Sequence, residues 1–176
     1  MLKKQRRSFQ SIGAGLHGVC ASFNAFTRGL LLHSVTMTKR ERVQSGVSMS
    51  NIRAVGEIYA AFGRGDSAGL LRHVAHDVDW ENAGSLTDVP WLQARRGHEG
   101  VMQFIRACEL LQMHSFQPRT SCESGPIVIV LVDEDFTVKL SGIRVVDESQ
   151  VHIWHFDERG VVIRHQSRTD LLRHGS

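Results

Sequence analysis

Two titratable side chains near the end of the sequence are of types that suit proton transfer. His152 alternates with Trp154 and Phe156, so these three side chains share one face of a predicted strand. Asp170 comes just after the last predicted strand. A carboxylate in a poorly solvated cavity has a raised pKa and can move a proton from a carbon next to a carbonyl group, and an imidazole can donate a hydrogen bond to the developing oxyanion. Asp170 is equally suited to cap a short C-terminal helix, and His152 to a buried structural hydrogen bond.

The residue types also allow a metal-binding site. His73 and His76 have i, i+3 spacing, and Asp77 and Asp79 follow them, so a divalent cation is conceivable there. A solvated helix end explains the same residues more simply. We therefore predict no metal site and expect no cofactor.

Helical patterns come first among the elements that must position these side chains. The first pattern is an apolar stripe at three- and four-residue steps: Ile52, Val55, Ile58, Tyr59 and Phe62. Ser50 is a suitable N-cap for this helix, and Asp66 is suitable for a shorter helix that follows. Residues 77–81 alternate polar and apolar and predict a strand, residues 82–96 are loop-like, and a second long helix begins after Gly97.

After the second long helix the hydrophobic period changes from 3.6 to two. The predicted strands are 115–123, 127–132, 136–146, 150–156 and 161–168, with turns at 133–135, 147–149 and 157–160. Helices followed by consecutive strands on short turns predict an α+β meander, with the helices packed on one face of a curved antiparallel sheet.

Charge divides the chain into two parts. Residues 1–49 contain eight Lys and Arg and one Glu, whereas residues 50–176 contain the remaining 13 basic and 17 acidic residues. The basic pI of about 9.0 therefore comes from the first part, and the acidic domain that follows is not expected to bind nucleic acid. We predict that residues 1–49 are an extension, either a disordered basic arm or an over-called start with Met37 or Met49 as the true first residue. A targeting segment is the alternative.

Cysteine spacing and hydropathy bear on the compartment. Cys20, Cys108 and Cys122 have neither paired nor metal-ligand spacing, which favours reduced thiols in a cytosolic protein. No apolar run approaches the length needed to cross a bilayer, so no membrane partner is expected. We predict a cytoplasmic protein.

Several segments, in order and spacing, resemble the SnoaL-like branch of the NTF2-like superfamily, which includes polyketide cyclases and is related to the ketosteroid isomerases. The segments are 58–66, 77–81, 96–104, 151–156, 160–162 and 169–170. The resemblance spans nearly all of residues 50–176. It implies a cone-shaped curved antiparallel sheet wrapped by N-terminal helices, an interior pocket for a small apolar organic ligand, and a homodimer. The family is functionally mixed, so the fold alone does not determine the activity.

The resemblance also implies roles for particular residues. Asp170 matches the acid/base aspartate of the cyclases, and His152 matches a proton-donating residue of related isomerases. Tyr59 falls where ketosteroid isomerases place the tyrosine of their oxyanion hole. Their general-base aspartate would fall at Asn82, which cannot accept a proton in that role. Glu81 is expected to point to the opposite side of the strand, so steroid isomerisation by the usual arrangement is not expected.

Aromatic and basic residues complete the predicted ligand contacts. Trp80, Trp91 and Trp154 are candidates for the pocket wall, and for Trp80 a core position is favoured. Arg168 replaces an aromatic residue common in relatives, which predicts a cation in or beside the cavity. This cation would pair with Asp170 or recognise an anionic group of the substrate.

These residues favour an enzyme over two other classes of protein. The predicted enzyme is a cofactor-independent cyclase or isomerase that acts by acid/base proton transfer on an apolar carbonyl compound, with Asp170 as acid/base and His152 as its polarising partner. The alternative is a non-catalytic ligand-binding or accessory protein with the same cone. A dimerising interaction module is a weaker third interpretation, because such a module needs no polar residues inside.

Overall fold

The computed structural model describes residues 50–82 and 88–168, which contain three helices and six strands. The elements in chain order are α1 (Asn51–Gly63), α2 (Ser67–Leu71), β1 (Val74–Asn82), β2 (Arg95–Arg96), α3 (Gly97–Cys108), β3 (Leu111–Ser124), β4 (Ile127–Val138), β5 (Arg144–Phe156) and β6 (Val162–Arg168). The predicted extension at residues 1–49 lies outside the described residues. No described helix is long and apolar enough to span a membrane.

Helices α1 and α2 begin where the sequence predicts, but the backbone N–H groups at their N-termini are hydrogen-bonded by different kinds of residue. The Asp66 carboxylate accepts a hydrogen bond from the Gly69 backbone N–H at 2.7 Å, as expected for an N-cap. Ser50 occupies the N-cap position of α1, yet its hydroxyl does not cap the helix. Instead, the Glu123 carboxylate from β3 accepts hydrogen bonds from the Ser50 hydroxyl at 3.3 Å and from the Asn51 backbone N–H at 3.2 Å.

The six strands form one sheet in the order β2-β1-β6-β5-β4-β3. All neighbouring pairs are antiparallel except β1 and β6, which are parallel. The helices pack against this curved, mostly antiparallel sheet, and the main hydrophobic core contains residues of α1, α2, α3 and five strands. The predicted α+β cone is confirmed.

The predicted turns at 133–135 and 147–149 are wrong, because both segments lie inside long strands. The reversal between β4 and β5 falls at residues 139–143. The acidic residues form a bulge instead: Val132 pairs with Gln150 and Glu134 pairs with Asp147, so residues 148–149 oppose Asp133 alone. Ser149 has a φ of 63°, and its backbone N–H donates to the Asp133 carboxylate at 2.9 Å. Polar residues thus mark a bulge rather than a chain reversal.

Strict alternation along the last strand would place Val162, Arg164, Gln166 and Arg168 on one face, but the structure departs from it. The register between β5 and β6 shifts near Phe156, so Val162 and His165 are both buried. Arg164 and Arg168 are exposed on the outer face of the sheet. The first of the two histidines considered for a metal, His73, follows α2, but His76 lies within β1 rather than at a helix end.

Candidate active site

A cavity lies between the helices and the inner face of the sheet, with a volume of about 90 Å³. A single water molecule needs only about 10–15 Å³ on this measure, so the cavity can hold a small organic molecule. Its wall is mainly apolar and aromatic. Five residues expected at the site line it together: Tyr59, Trp80, Trp91, His152 and Trp154. For Trp80, the favoured core position is also correct, since it belongs to the main core and is 3% exposed.

Tyr59 is the centre of a buried hydrogen-bond network. The Trp154 indole N–H donates to the Tyr59 hydroxyl oxygen at 3.2 Å, and that hydroxyl lies 2.9 Å from His152 Nδ1. His152 Nε2 lies 2.5 Å from the amide oxygen of Gln150. Because an amide oxygen only accepts, Nε2 carries the imidazole proton, and the Tyr59 hydroxyl therefore donates to Nδ1. Tyr59, His152 and Trp154 thus hold one another in a single arrangement.

Burial keeps the network uncharged. Burial lowers the pKa of His152 to about 3, so its imidazole is neutral at physiological pH. Burial also raises the pKa of Tyr59 far above its usual range, so the phenol keeps its proton. Both ring nitrogens of His152 are used in hydrogen bonds within the protein. His152 is therefore placed to hold Tyr59 in position.

His165 is a second buried histidine in the cavity wall, and no role was predicted for it. Its ring lies between Trp80 and Trp154, with centroid distances of 4.3 Å and 4.2 Å. Neither ring nitrogen has a hydrogen-bond partner within residues 50–82 and 88–168. Burial and the nearby His152 and Arg168 lower the pKa of His165 well below its ordinary value, so it is neutral.

Asn82 and Ser167 lie on the same wall as His165. The Ser167 hydroxyl donates to the Asn82 amide oxygen at 3.2 Å, which fixes the orientation of the amide. The Asn82 amide nitrogen and the Trp80 indole nitrogen are both buried and have no partner in the described part of the chain. The wall formed by β1 and β6 therefore contains several buried N–H groups that are not paired with described residues.

Glu81 and Arg168 lie outside the cavity. As expected, Glu81 points away from Asn82, and it accepts from Arg164 and pairs with Arg168, each at 3.0 Å. Arg168 was expected in or beside the cavity, but it does not line it. The shifted alternation of β6 explains the difference, because it turns His165 and Ser167 inward and Arg168 to the outer face.

Glu134 is the acidic residue of the cavity wall among the described residues, and it was not predicted from the sequence. Its carboxyl group has no hydrogen bond or ion pair with a described residue. Burial, and to a lesser extent the negative charge of Asp147, raise its pKa to about 8. A signal for Glu134 was present: Val130, Val132, Glu134 and Phe136 keep strict alternation and all line the cavity or the core. A predicted turn at residues 133–135 obscured it.

Three other candidates for a chemical role remain: Asp170, a metal site and Cys108. Asp170 lies outside the described residues, so its acid/base role stays a prediction. Within residues 50–82 and 88–168, no group of three or more His, Cys, Asp or Glu side chains could hold a metal ion. Cys108 lines the cavity, and burial raises the pKa of its thiol, which disfavours the nucleophilic thiolate.

Known proteins resemble this chain over the whole described domain. The family model of the SnoaL-like domain matches residues 55–165. An NTF2-like protein of unknown function from Burkholderia pseudomallei is 27% identical, with a TM-score of 0.62 over 72% of this chain and 95% of its own. An NTF2-like protein from Burkholderia xenovorans is 26% identical, with a TM-score of 0.65 over 73% and 97%. TerC, co-crystallised with polyporic acid, is 25% identical, with a TM-score of 0.62 over 71% and 95%. No protein of curated function matches significantly.

The family match and the solved structures agree with the fold described above. The match begins within α1, covers α3 and ends in β6, and it includes Tyr59, Glu134, His152 and His165. The resemblance inferred from the sequence is thereby confirmed. The chain belongs to the SnoaL-like domain family and has the NTF2-like fold.

Proposed function

We propose that this protein is a cofactor-independent isomerase or cyclase that moves a proton on a small, largely apolar carbonyl compound bound in the cavity. The observation that carries the proposal is a carboxyl group, Glu134, in an aromatic cavity, without an ion-pair partner among the described residues and with a pKa raised to about 8. A carboxyl group with a pKa near the working pH can both take and return a proton. The co-crystal of the similar protein TerC with polyporic acid supports an organic ligand of this general kind.

In the proposed reaction, Glu134 acts as the proton carrier. Its carboxylate takes a proton from the carbon next to the carbonyl group, and the electron pair of the broken C–H bond forms an enolate whose oxygen carries the charge. The Glu134 carboxylic acid then returns the proton, to the same carbon or to a conjugated one. Atoms and charge balance without a cofactor.

Tyr59 and His152 shape the cavity in this proposal. Because both nitrogens of His152 are already hydrogen-bonded, the polarising role expected for it becomes a positioning role that holds Tyr59 beside Trp154. Asp170 is kept as a second candidate acid/base group. The two carboxyl groups make different predictions, so they can be separated by experiment.

The proposed step can be measured without knowing the product of the natural reaction. The protein is incubated with 2-tetralone in D2O, and NMR monitors the exchange of the α-protons of the ketone for deuterium. We expect the protein to accelerate exchange, with a rate that rises with pH and levels off above about 8 as Glu134 ionises. Glu134→Gln should lower this rate by about 100-fold or more and remove the pH dependence. Glu158→Gln, at an exposed acid in the turn before β6, is the matched control and should leave the rate unchanged.

Two outcomes would contradict the role of Glu134. Loss of exchange in Asp170→Asn but not in Glu134→Gln would transfer the step to Asp170. If the ketone binds and neither variant changes its exchange rate, the alternative of a non-catalytic ligand-binding protein is correct.

A further inference from the structure

The wall of the cavity formed by β1 and β6 contains polar atoms that the proposed proton transfer does not use. Trp80 is the register partner of His165, and Asn82 is the register partner of Ser167, so the four side chains are neighbours on one face. Trp80, Asn82 and His165 are each 3% exposed. The Trp80 indole nitrogen, the Asn82 amide nitrogen and both His165 ring nitrogens have no hydrogen-bond partner among the described residues.

These unpaired atoms are mainly donors. An indole nitrogen only donates, and the neutral imidazole of His165 offers one N–H donor and one acceptor. The amide of Asn82 is oriented by the Ser167 hydroxyl, which donates to its oxygen, and its NH2 group has no partner among the described residues. The wall is therefore complementary to an oxygen atom that accepts hydrogen bonds.

An apolar wall would be more stable than this one in the absence of a ligand. Buried donors without partners are unfavourable, and replacing them with apolar groups of the same shape is often neutral or stabilising. Phe at position 165 and Leu at position 82 would fill similar space among the surrounding aromatic residues. Donors kept at these positions imply that something else accepts their hydrogen bonds.

We propose that Asn82 and His165, with Trp80 beside them, form a recognition site for a ketone or quinone oxygen of the ligand. This site selects oxygenated aromatic compounds over hydrocarbons of the same shape. The inference rests on the proposed function in that both concern a ligand in the same cavity. In related isomerases the position of Asn82 holds the general base. In this chain we assign Asn82 a role in ligand binding instead.

Binding of 1-tetralone and tetralin, which differ by one carbonyl oxygen, tests the site. All three tryptophans of the chain line the cavity, so their fluorescence reports occupancy. We expect the wild-type protein to bind 1-tetralone about tenfold or more tightly than tetralin. Asn82→Leu and His165→Phe should each lower this preference and leave tetralin binding intact. His155→Phe, which changes a histidine whose side chain does not line the cavity, should keep the preference.

The melting temperatures of the same variants separate ligand recognition from a structural role. We expect the ligand-free His165→Phe protein to melt at the same temperature as the wild type or higher, because unpaired polar atoms are removed. Asn82→Leu alone leaves the Ser167 hydroxyl without its acceptor, so the double variant Asn82→Leu/Ser167→Ala, which removes both partners, is the one expected to melt at the wild-type temperature or higher. A clearly lower melting temperature with an unchanged ketone preference would overturn the inference.

The two proposals fail in different ways. Equal binding of 1-tetralone and tetralin overturns the oxygen site and leaves an apolar cavity. A ketone preference that depends on Asn82 and His165, found together with no α-proton exchange, supports the oxygen site and contradicts the proposed enzyme. If neither compound binds, both proposals are wrong.

Discussion

Tyr59 shows how much of the cavity depends on a single hydroxyl group. It accepts a hydrogen bond from Trp154 and donates one to His152, and all three side chains are buried. Since Tyr59 is on α1 and its partners are on β5, the hydroxyl links the helix to the sheet in the wall of the cavity. The network also leaves the imidazole of His152 without a free nitrogen.

Tyr59→Phe should destabilise the protein by about 1–3 kcal/mol, because it leaves the Trp154 indole N–H and His152 Nδ1 buried without their partner. The free energy of unfolding in urea, followed by tryptophan fluorescence, measures this loss. Trp154→Phe removes the other end of the same hydrogen bond and serves for comparison. If the network exists in solution, the double variant loses less stability than the sum of the single variants, whereas simple additivity argues against it.

Residue types, alternation and the family resemblance together were enough to predict part of this site. Tyr59, His152 and Trp154 lie on regular stretches of helix or strand, so the period assigns each to one face of its element, and the resemblance identifies that face as the inner one. His165 was missed, and Arg168 was expected in or beside the cavity, because both lie beyond the register shift between β5 and β6. Glu134 keeps the alternation of β4 and was missed because the bulge opposite it was predicted to be a turn. A bulge depends on backbone conformation at one or two residues, and a period of two cannot reveal it.

At the scale of elements, the start of α1 depends on a residue 72 positions away in sequence. The Glu123 carboxylate of β3 accepts a hydrogen bond from the Asn51 backbone N–H. The Ser50 hydroxyl also donates to Glu123 and does not cap the helix. The sequence correctly predicts where α1 begins. It could not predict the capping group, because the pairing depends on how β3 lies against the helix.

Glu123→Ala should therefore destabilise the protein by about 1 kcal/mol, the usual cost of losing a helix cap. Ser50→Ala is the matched control and should cost little, because the free backbone N–H groups of α1 do not depend on its hydroxyl. Urea denaturation of the two variants measures the difference. A larger loss for Ser50→Ala than for Glu123→Ala would show that the serine caps the helix in solution.

At the scale of the whole molecule, buried titratable groups limit the pH range of stability. The native pKa of His152 is lowered to about 3 from an ordinary value of 6.5, and that of His165 is also lowered. The contribution of these two histidines to the free energy of unfolding is present above pH 6.5. It is lost as the pH falls, because only the unfolded chain takes up these protons. Glu134 acts in the opposite direction. Its pKa rises from 4.5 to about 8, so its contribution is present below pH 4.5 and is lost as the pH rises through about 8.

We therefore expect the free energy of unfolding to be greatest at about pH 6–7, since two histidines outweigh one carboxyl group on the acid side. Urea denaturation between pH 4 and pH 9 measures this profile. Glu134→Gln should flatten the decline above pH 7, and His165→Phe should reduce the decline below pH 6. An alkaline decline that is the same in Glu134→Gln and the wild type would contradict the raised pKa of Glu134.

The parallel pairing of β1 and β6 also has a consequence for how the protein folds. These two strands are separated by about eighty residues of intervening chain, and a parallel contact of that span closes late because its loop entropy must be overcome first. The helices and the meander from β3 to β5 can form from local contacts, but the proposed oxygen site requires both strands of the β1–β6 pair. The proposed oxygen site is therefore complete only after β6 has emerged from the ribosome, and a ligand that binds this site would stabilise the product of the last folding step.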